Sequence, residues 1–101
     1  MKSHNFIVKQ HSSPHGIVIV ITDLEIFGKQ FEEGKLQLDL SKEFYKGEEM
    51  TTEEILKILK RSYVVHLTGV HSVEIGVDLG IVDSQHIIII KGIPHAEGYL
   101  G

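Results

Sequence analysis

The chain has 101 residues, of which 42% are hydrophobic, and this length supports one compact domain, residues 1–101, around one core. It contains no cysteine, which excludes disulfides and thiolate zinc sites and favours a reducing, cytoplasmic compartment. Fourteen acidic and ten basic residues give a net charge of −4, which disfavours sequence-independent binding of nucleic acid. No apolar stretch approaches the ~18 residues that a membrane span needs, so no contact with a membrane is expected.

The first part of the chain predicts a β-hairpin. Residues 5–10 and residues 17–22 are apolar and rich in β-branched side chains, which favours two strands. The segment between them is dense in serine, proline and glycine, as is typical of a turn. Residues 23–29 predict a short helical turn that Asp23 caps and Gly28 ends.

The next part of the chain predicts a loop and a half-buried strand. Glycines bound residues 28–34, which form either a binding loop or a wide turn between strands. Residues 35–40 alternate apolar and polar side chains with a period of two, and this pattern predicts a strand. Phe44 and Tyr45 add a short further strand before Gly47.

Two helices are predicted in the second half. Thr51 and Glu54 have the spacing of a capping box, so a helix should begin after Thr51 and bury a stripe that extends to residues 62–63. A short connection through His66 then leads to a helix over residues 70–79, which Gly80 ends.

The isoleucine run at residues 87–90 predicts a central strand that is buried on both faces, because a half-exposed strand would alternate with polar residues. Gly92 and Pro94 follow it and place His95 just beyond the strand. The order of elements predicts an α+β fold, with a mixed sheet of four to five strands and two helices packed on one face.

The chemistry-bearing residues do not indicate a known reaction type. No nucleophile elbow or phosphate-binding glycine loop is present. His71, Glu74 and Asp78 share one stripe of the second helix, and this stripe is interpreted as a solvated polar face. Because the histidines are scattered in sequence, neither a metal site nor a cofactor is expected.

Several segments resemble the archaeal family known as domain of unknown function 424. The similarity covers nearly the whole chain and is carried by residues 22–34, 44–47, 69–82 and 92–96. The family usually has asparagine at the position of His66 and glutamine at that of Glu97. The resemblance implies an archaeal cytosolic protein without an established activity, and the gene neighbourhood of family members suggests a role near RNA or the ribosome.

Three functional hypotheses follow. The first is a small binding protein, linked to translation or RNA, whose partner is an RNA or a ribosome-associated protein. It uses the 28–34 loop and the exit of the isoleucine strand, with these residues as the expected binding set: Asp23, Lys29, Phe31, Tyr45, His66, Pro94 and His95. The second is a small enzyme in which Asp23 or Glu25 orients His95 as a general base. The third is a homo-oligomeric interaction module.

The shared site of the first hypothesis depends on strand direction. If the strand at residues 17–22 and the isoleucine strand are parallel neighbours, their exits lie at the same edge of the sheet and bring Lys29 towards His95. If they are antiparallel neighbours, the exits lie at opposite ends and no shared site forms.

Overall fold

The computed structural model describes residues 5–100, which form a six-stranded mixed sheet, a separate two-stranded hairpin and two α-helices. The strands are β1 (Asn5–Ser13), β2 (Gly16–Asp23), β3 (Gln30–Glu33), β4 (Leu36–Asp39), β5 (Glu48–Thr51), β6 (Ser62–Thr68), β7 (Ile88–Ile90) and β8 (Ile93–Tyr99). The helices are α1 (Thr52–Leu59) and α2 (Val70–Asp78). The large sheet has the order β5-β1-β2-β6-β8-β7, in which β2 and β6 are parallel and all other pairs antiparallel.

Both helices cover the same face of the large sheet, which we call the inner face. Successive side chains of a strand point to opposite faces, so every second residue of the central strands points inward. The main core consists of these residues and the buried sides of both helices, including Phe6, Val8, Ile19, Ile21, Ile55, Leu59, Val65, Leu67 and Val73. The α+β class and the helices on one face are therefore confirmed, whereas the predicted strand count is too low.

Helix α1 begins as the sequence predicts. The Glu54 backbone N–H donates to Thr51 Oγ1 at 3.3 Å, and the Thr51 backbone N–H donates to Glu54 Oε1 at 3.1 Å, so the capping box is confirmed. The helix ends earlier than expected, because the Ser62 hydroxyl donates to the Leu59 carbonyl at 2.8 Å and the chain then extends into β6. The segment interpreted as helix end and connection is thus a buried central strand.

Helix α2 ends at Gly80, whose φ of 74° lies in the left-handed region that stops a helix, as predicted. Gly76 lies where this helix approaches the sheet, and a Cβ at that position would collide with Leu67 and Val82 side chains. The close packing of α2 on the sheet therefore requires a residue without a side chain at this position.

The isoleucine strand is not central. Strand β7 lies at the edge of the sheet, where Ile88 and Ile89 are 50% and 59% exposed and only Ile90, at 6%, is buried. The prediction of a strand buried on both faces is wrong, because an apolar run does not distinguish a central strand from an edge strand that is partly covered on one side. Lys91 and Gly92, with φ values of 52° and 78°, form the two-residue turn into β8.

The opposite side of the sheet, the outer face, is only partly covered. The β3–β4 hairpin and a 3₁₀ turn at Glu43–Tyr45 lie over it, and the second hydrophobic cluster there contains Leu38, Leu40 and Ile90 packed against Ile26, Phe31, Tyr45 and Ile93. The short strand predicted at Phe44 and Tyr45 is this 3₁₀ turn. The short helical turn predicted after Asp23 is present as a second 3₁₀ turn, Leu24–Ile26, but the Asp23 side chain does not cap it. None of the helices within residues 5–100 is long and apolar enough to cross a membrane.

Candidate functional site

Three ionisable side chains converge on the uncovered part of the outer face. In the register of β6 and β8, His66 lies opposite Glu97 and Thr68 lies opposite His95. Because side chains alternate between faces, His95 and Glu97 point to the same side of β8 as His66 does on β6. We call this set the His66–His95–Glu97 cluster.

The distances within the cluster are short. His66 Nδ1 lies 3.3 Å from Glu97 Oε1, and the two imidazole rings are nearly parallel with centroids 6.4 Å apart. One nitrogen of each histidine and one carboxylate oxygen of Glu97 lie within 4.8 Å of one another. The cluster therefore presents two imidazoles and a carboxylate to a single point in space.

Thr68 fixes the orientation of His95. Its side chain is fully buried, and its Oγ1 lies 2.8 Å from His95 Nδ1. With Nδ1 engaged in that hydrogen bond, Nε2 of His95 is the nitrogen that remains for a ligand.

Burial lowers the pKa of His95 below its ordinary value. Positive charge on His66 lowers this pKa further, while Glu97 acts in the opposite direction. The first two effects favour the neutral form of the His95 imidazole.

An aromatic wall borders the cluster on the side of β1. The Phe44 ring meets the His66 ring edge-on, with centroids 5.5 Å apart, and stacks on the His11 ring at 5.0 Å. Phe44 reaches this position because the 3₁₀ turn at Glu43–Tyr45 lies on the outer face. The wall limits access to His66 from that side.

A cleft of about 540 Å³ opens on the other side of the cluster. It exists because β7 pairs only with residues 93–95, so the following residues of β8 have no strand neighbour on that side. The lining side chains are Ile81, Asp83, His86, Ile88, His95, Ala96, Glu97 and Tyr99. These described residues include two carboxylates and two imidazoles but neither lysine nor arginine.

Asp23 performs a structural task. Its carboxylate accepts hydrogen bonds from the backbone N–H groups of His71 and Ser72 at 3.0 and 2.8 Å and from the Ser72 hydroxyl at 2.6 Å. It thereby caps α2, whose own N-cap residue, Gly69, has no side chain. His95 Nδ1 is hydrogen-bonded to Thr68 and not to Asp23 or Glu25.

The other expected binding residues are distributed between packing and the surface. Phe31 and Tyr45 pack in the second hydrophobic cluster, and Lys29 is exposed where the hairpin begins. Pro94 lies within β8, next to His95. Of the expected set, the cluster contains His66 and His95.

The 28–34 segment is half loop and half strand, since β3 begins at Gln30. Strand β2 is parallel to β6, and β7 is antiparallel to β8, which is itself antiparallel to β6, so β2 and β7 run in the same direction and end on the same side of the sheet. They are not neighbours, as the shared-site hypothesis assumes, because β6 and β8 lie between them. The hairpin reaches the exit of β7, where the Lys91 backbone N–H donates to Glu33 Oε1 at 2.6 Å. The approach of Lys29 to His95 stays a prediction.

Sequence reasoning missed Thr68 and Glu97 as members of the site. A signal for Glu97 is present in residues 93–99, where large or polar side chains alternate with proline, alanine and glycine. That period of two predicts a strand with His95 and Glu97 on one face. The segment was interpreted instead as an exit from the isoleucine strand.

The fold and family of the chain have known counterparts. The model of the family described as "Protein of unknown function (DUF424)" matches residues 10–99. The chain is also similar to the crystal structure of an uncharacterized conserved protein from Methanopyrus kandleri, with a TM-score of 0.70 and 19% identity over 94% of this chain and 90% of that chain. Identity at this level indicates a shared fold alone. Comparison with curated proteins gives no match.

Proposed function

The chain belongs to the DUF424 family, and we propose that it is a small cytoplasmic binding protein whose ligand occupies the cleft beside the His66–His95–Glu97 cluster. The observation that carries this proposal is the convergence of two imidazoles and a carboxylate at the wall of a cleft of about 540 Å³. Ligand sites in proteins are concave, have volumes of this order and combine apolar lining with a few convergent polar groups. Ile88 and Tyr99 supply the apolar part here.

The charge of the cleft indicates the class of ligand. Asp83 and Glu97 face it, and no described lining residue carries a fixed positive charge. A ligand with a positive charge or with neutral hydrogen-bonding groups is therefore favoured over one that presents phosphates. The link to RNA or translation needs basic contacts that this surface lacks, so we treat it as the alternative that the experiment must separate.

An acid–base enzyme is the second candidate function. The observation in its favour is the Thr68–His95 hydrogen bond, which holds one imidazole nitrogen and leaves Nε2 directed to a reacting group. In this arrangement Glu97 is paired with His66, so His66 and not His95 has the carboxylate partner.

Exposed apolar side chains on β7 support the remaining hypothesis, a homo-oligomer. Ile88 is about half exposed and Ile89 is more than half exposed. Both lie on an edge strand, where unpaired backbone groups are open to another chain. Light scattering coupled to size exclusion tests this directly, and an Ile89→Lys variant should return any dimer to the monomer.

The test of the proposed function is thermal unfolding of the full-length protein in the presence of a chelator. The probes are a panel of small amines, nucleosides and carboxylic acids and, in a separate arm, a single-stranded RNA oligonucleotide. A ligand that binds only the native state stabilises it by RT ln(1 + L/Kd), where L is the free ligand concentration, so at concentrations well above its Kd it raises the melting temperature by several degrees. We expect such a shift from an amine or a neutral hydrogen-bonding compound, and no shift from RNA.

The matched variants are His95→Gln, in the cluster, and His15→Gln, in the exposed turn between β1 and β2. His95→Gln should abolish the shift and His15→Gln should keep it. A shift of equal size in both variants would place the ligand elsewhere, and binding of RNA alone would favour the translation hypothesis.

A further inference from the structure

We infer that the His66–His95–Glu97 cluster is the binding site of one divalent first-row transition metal ion, of the class to which zinc and ferrous iron belong. The inference rests on the proposed function in one respect, namely that the cleft beside the cluster is where the protein binds its ligands.

The donor set fits this class of metal. Imidazole nitrogen suits zinc, iron, cobalt and nickel, whereas magnesium and calcium prefer oxygen donors only. Two histidines and one carboxylate are three protein ligands, and sites of this composition keep at least one coordination position open. The open position would face the cleft, because Glu97 and His95 line both the cluster and the cleft.

The spacing is close to what an ion requires. Metal–ligand bonds of about 2.0–2.1 Å in a tetrahedral site place neighbouring ligand atoms roughly 3.4 Å apart. His66 Nδ1 and Glu97 Oε1 are 3.3 Å apart, and no pair in the cluster exceeds 4.8 Å. Movement of about 1.4 Å at most brings the widest pair to this spacing, and the Glu97 carboxylate has room to move because 47% of its side chain is exposed.

The surroundings hold the histidines in place. His66 and His95 project from the neighbouring strands β6 and β8, which are rigid elements of the sheet. Histidine ligands usually donate their second ring N–H to an oxygen acceptor, and Thr68 Oγ1 occupies that position for His95. This hydrogen bond engages Nδ1 and leaves Nε2 as the His95 nitrogen available to an ion.

No second group of this kind competes within residues 5–100. His71 lies 3.9 Å from Glu25 and His86 lies 3.4 Å from Asp83, and each of these pairs lacks a third ligand. His71 and Glu74 also belong to α2, which packs on the inner face, so they cannot join His66 and His95 on the outer face. The expectation that the chain lacks a metal site rested on the separation of the histidines in sequence, which the register of β6 and β8 overcomes.

The experiment is calorimetric titration of chelator-treated, untagged full-length protein with Zn²⁺, repeated with Co²⁺, whose visible spectrum reports coordination. We expect one ion per chain with micromolar or tighter affinity, and a higher melting temperature that excess chelator reverses. Each of His66→Gln, His95→Gln and Glu97→Gln should weaken Zn²⁺ binding by at least tenfold. Thr68→Val, which removes only the hydrogen-bond partner of His95 Nδ1, should weaken Zn²⁺ binding by about 10–100-fold.

The controls are His15→Gln and His71→Gln, which should bind Zn²⁺ with unchanged affinity. Absence of saturable binding in the wild-type protein would overturn the inference, and so would affinity that survives all three cluster substitutions. If Zn²⁺ fails to bind but a compound of the panel still raises the melting temperature in a His95-dependent way, the metal site is refuted and the proposed function stands. If Zn²⁺ binds and no compound does, the protein binds a metal but not the organic ligand proposed.

Discussion

Thr68 and His95 form the polar contact that gives the outer face its chemistry. Thr68 is inaccessible to solvent and held in the middle of the sheet, so the hydrogen bond at 2.8 Å determines the orientation of the His95 ring. The environment also disfavours the charged form of this ring, because burial and the charge of His66 both lower the pKa of His95. The neutral form of the imidazole is therefore favoured, and its Nδ1 is held by Thr68.

The lowered pKa of His95 predicts how stability depends on pH. As the pH falls below about 6.5, the ordinary value for histidine, the unfolded chain binds a proton at this position before the folded chain does. The free energy of unfolding of metal-free protein should therefore decrease in that range, and it should decrease less in His95→Gln. Urea unfolding at a series of pH values measures both proteins, and identical pH dependence would contradict the effect of burial on His95.

Thr22 and Thr68 give a matched pair of predictions, since they are neighbours in the register of β2 and β6. Both are fully buried, but Thr22 Oγ1 is the buried side-chain polar atom without a hydrogen-bond partner among the described residues. Thr22→Val removes an unsatisfied hydroxyl at constant volume and should raise the free energy of unfolding by about 1–3 kcal/mol. Thr68→Val loses the bond to His95 and should lower it by about 0.5–1.5 kcal/mol. Denaturant titration measures the free energy of unfolding of both variants. A lower value for Thr22→Val than for the wild type would contradict the prediction.

At the scale of elements, the two helices begin in different ways. Helix α1 carries its own cap in Thr51 and Glu54, which is why the sequence predicts its start. Helix α2 follows Gly69, which has a φ of 109° and no side chain to offer. Its cap comes from Asp23, at the end of a distant strand, and such a contact cannot be inferred from local sequence.

These caps predict unequal costs for their removal. Asp23→Ala leaves two backbone N–H groups of α2 without their acceptor in a buried setting, and should lower the free energy of unfolding by about 1.5–3 kcal/mol or more. Thr51→Ala removes a more exposed cap and should cost roughly 0.5–2 kcal/mol. Asp23→Asn keeps one oxygen acceptor and should lie between Asp23→Ala and the wild type. Urea unfolding measures these differences. If Asp23→Ala lowers the free energy of unfolding by no more than Thr51→Ala does, Asp23 does not stabilise α2 as its cap.

Strand β7 offers a second comparison within one element. Ile90 is 6% exposed and packs with Leu38 and Leu40, so Ile90→Ala should lower the free energy of unfolding by about 2–5 kcal/mol. Ile89 is 59% exposed, and Ile89→Ala should change it by less than about 1 kcal/mol. Comparable losses in both variants would indicate that Ile89 is covered in solution, as it would be in an oligomer.

The elements that the sequence predicted correctly are those with local signals. The β1–β2 hairpin, β4 and the start of α1 follow from turn residues, alternation and a capping box. Strand β6 was missed because Ser62 and Tyr63 continue the apolar periodicity of α1, so the helix pattern runs over the true boundary. Strand β8 is not predicted because Gly92 and Pro94 are typical of a turn, and Pro94 lies inside the strand.

At the scale of the whole molecule, the order of strands creates the candidate site. Placing β8 beside β6 brings residues that are distant in sequence, such as His66 and Glu97, into direct register. The helices cover only the inner face, and the hairpin covers only part of the outer face, so the cluster stays accessible. The sequence indicates His66 and His95 as separate candidates. Their proximity to Glu97 depends on the strand order, which no local sequence pattern specifies.

Long-range ¹H–¹⁵N correlation spectra of the histidine rings, recorded while Zn²⁺ is added to chelator-treated protein, test most directly whether the outer-face cluster is the binding site. The ring nitrogens of His66 and His95 should shift together and reach their end point at one equivalent, because both contribute a ligand atom. The other five of the seven histidines should keep their resonances. Shifts confined to those five, or no change in His66 and His95 at saturation, would contradict the account.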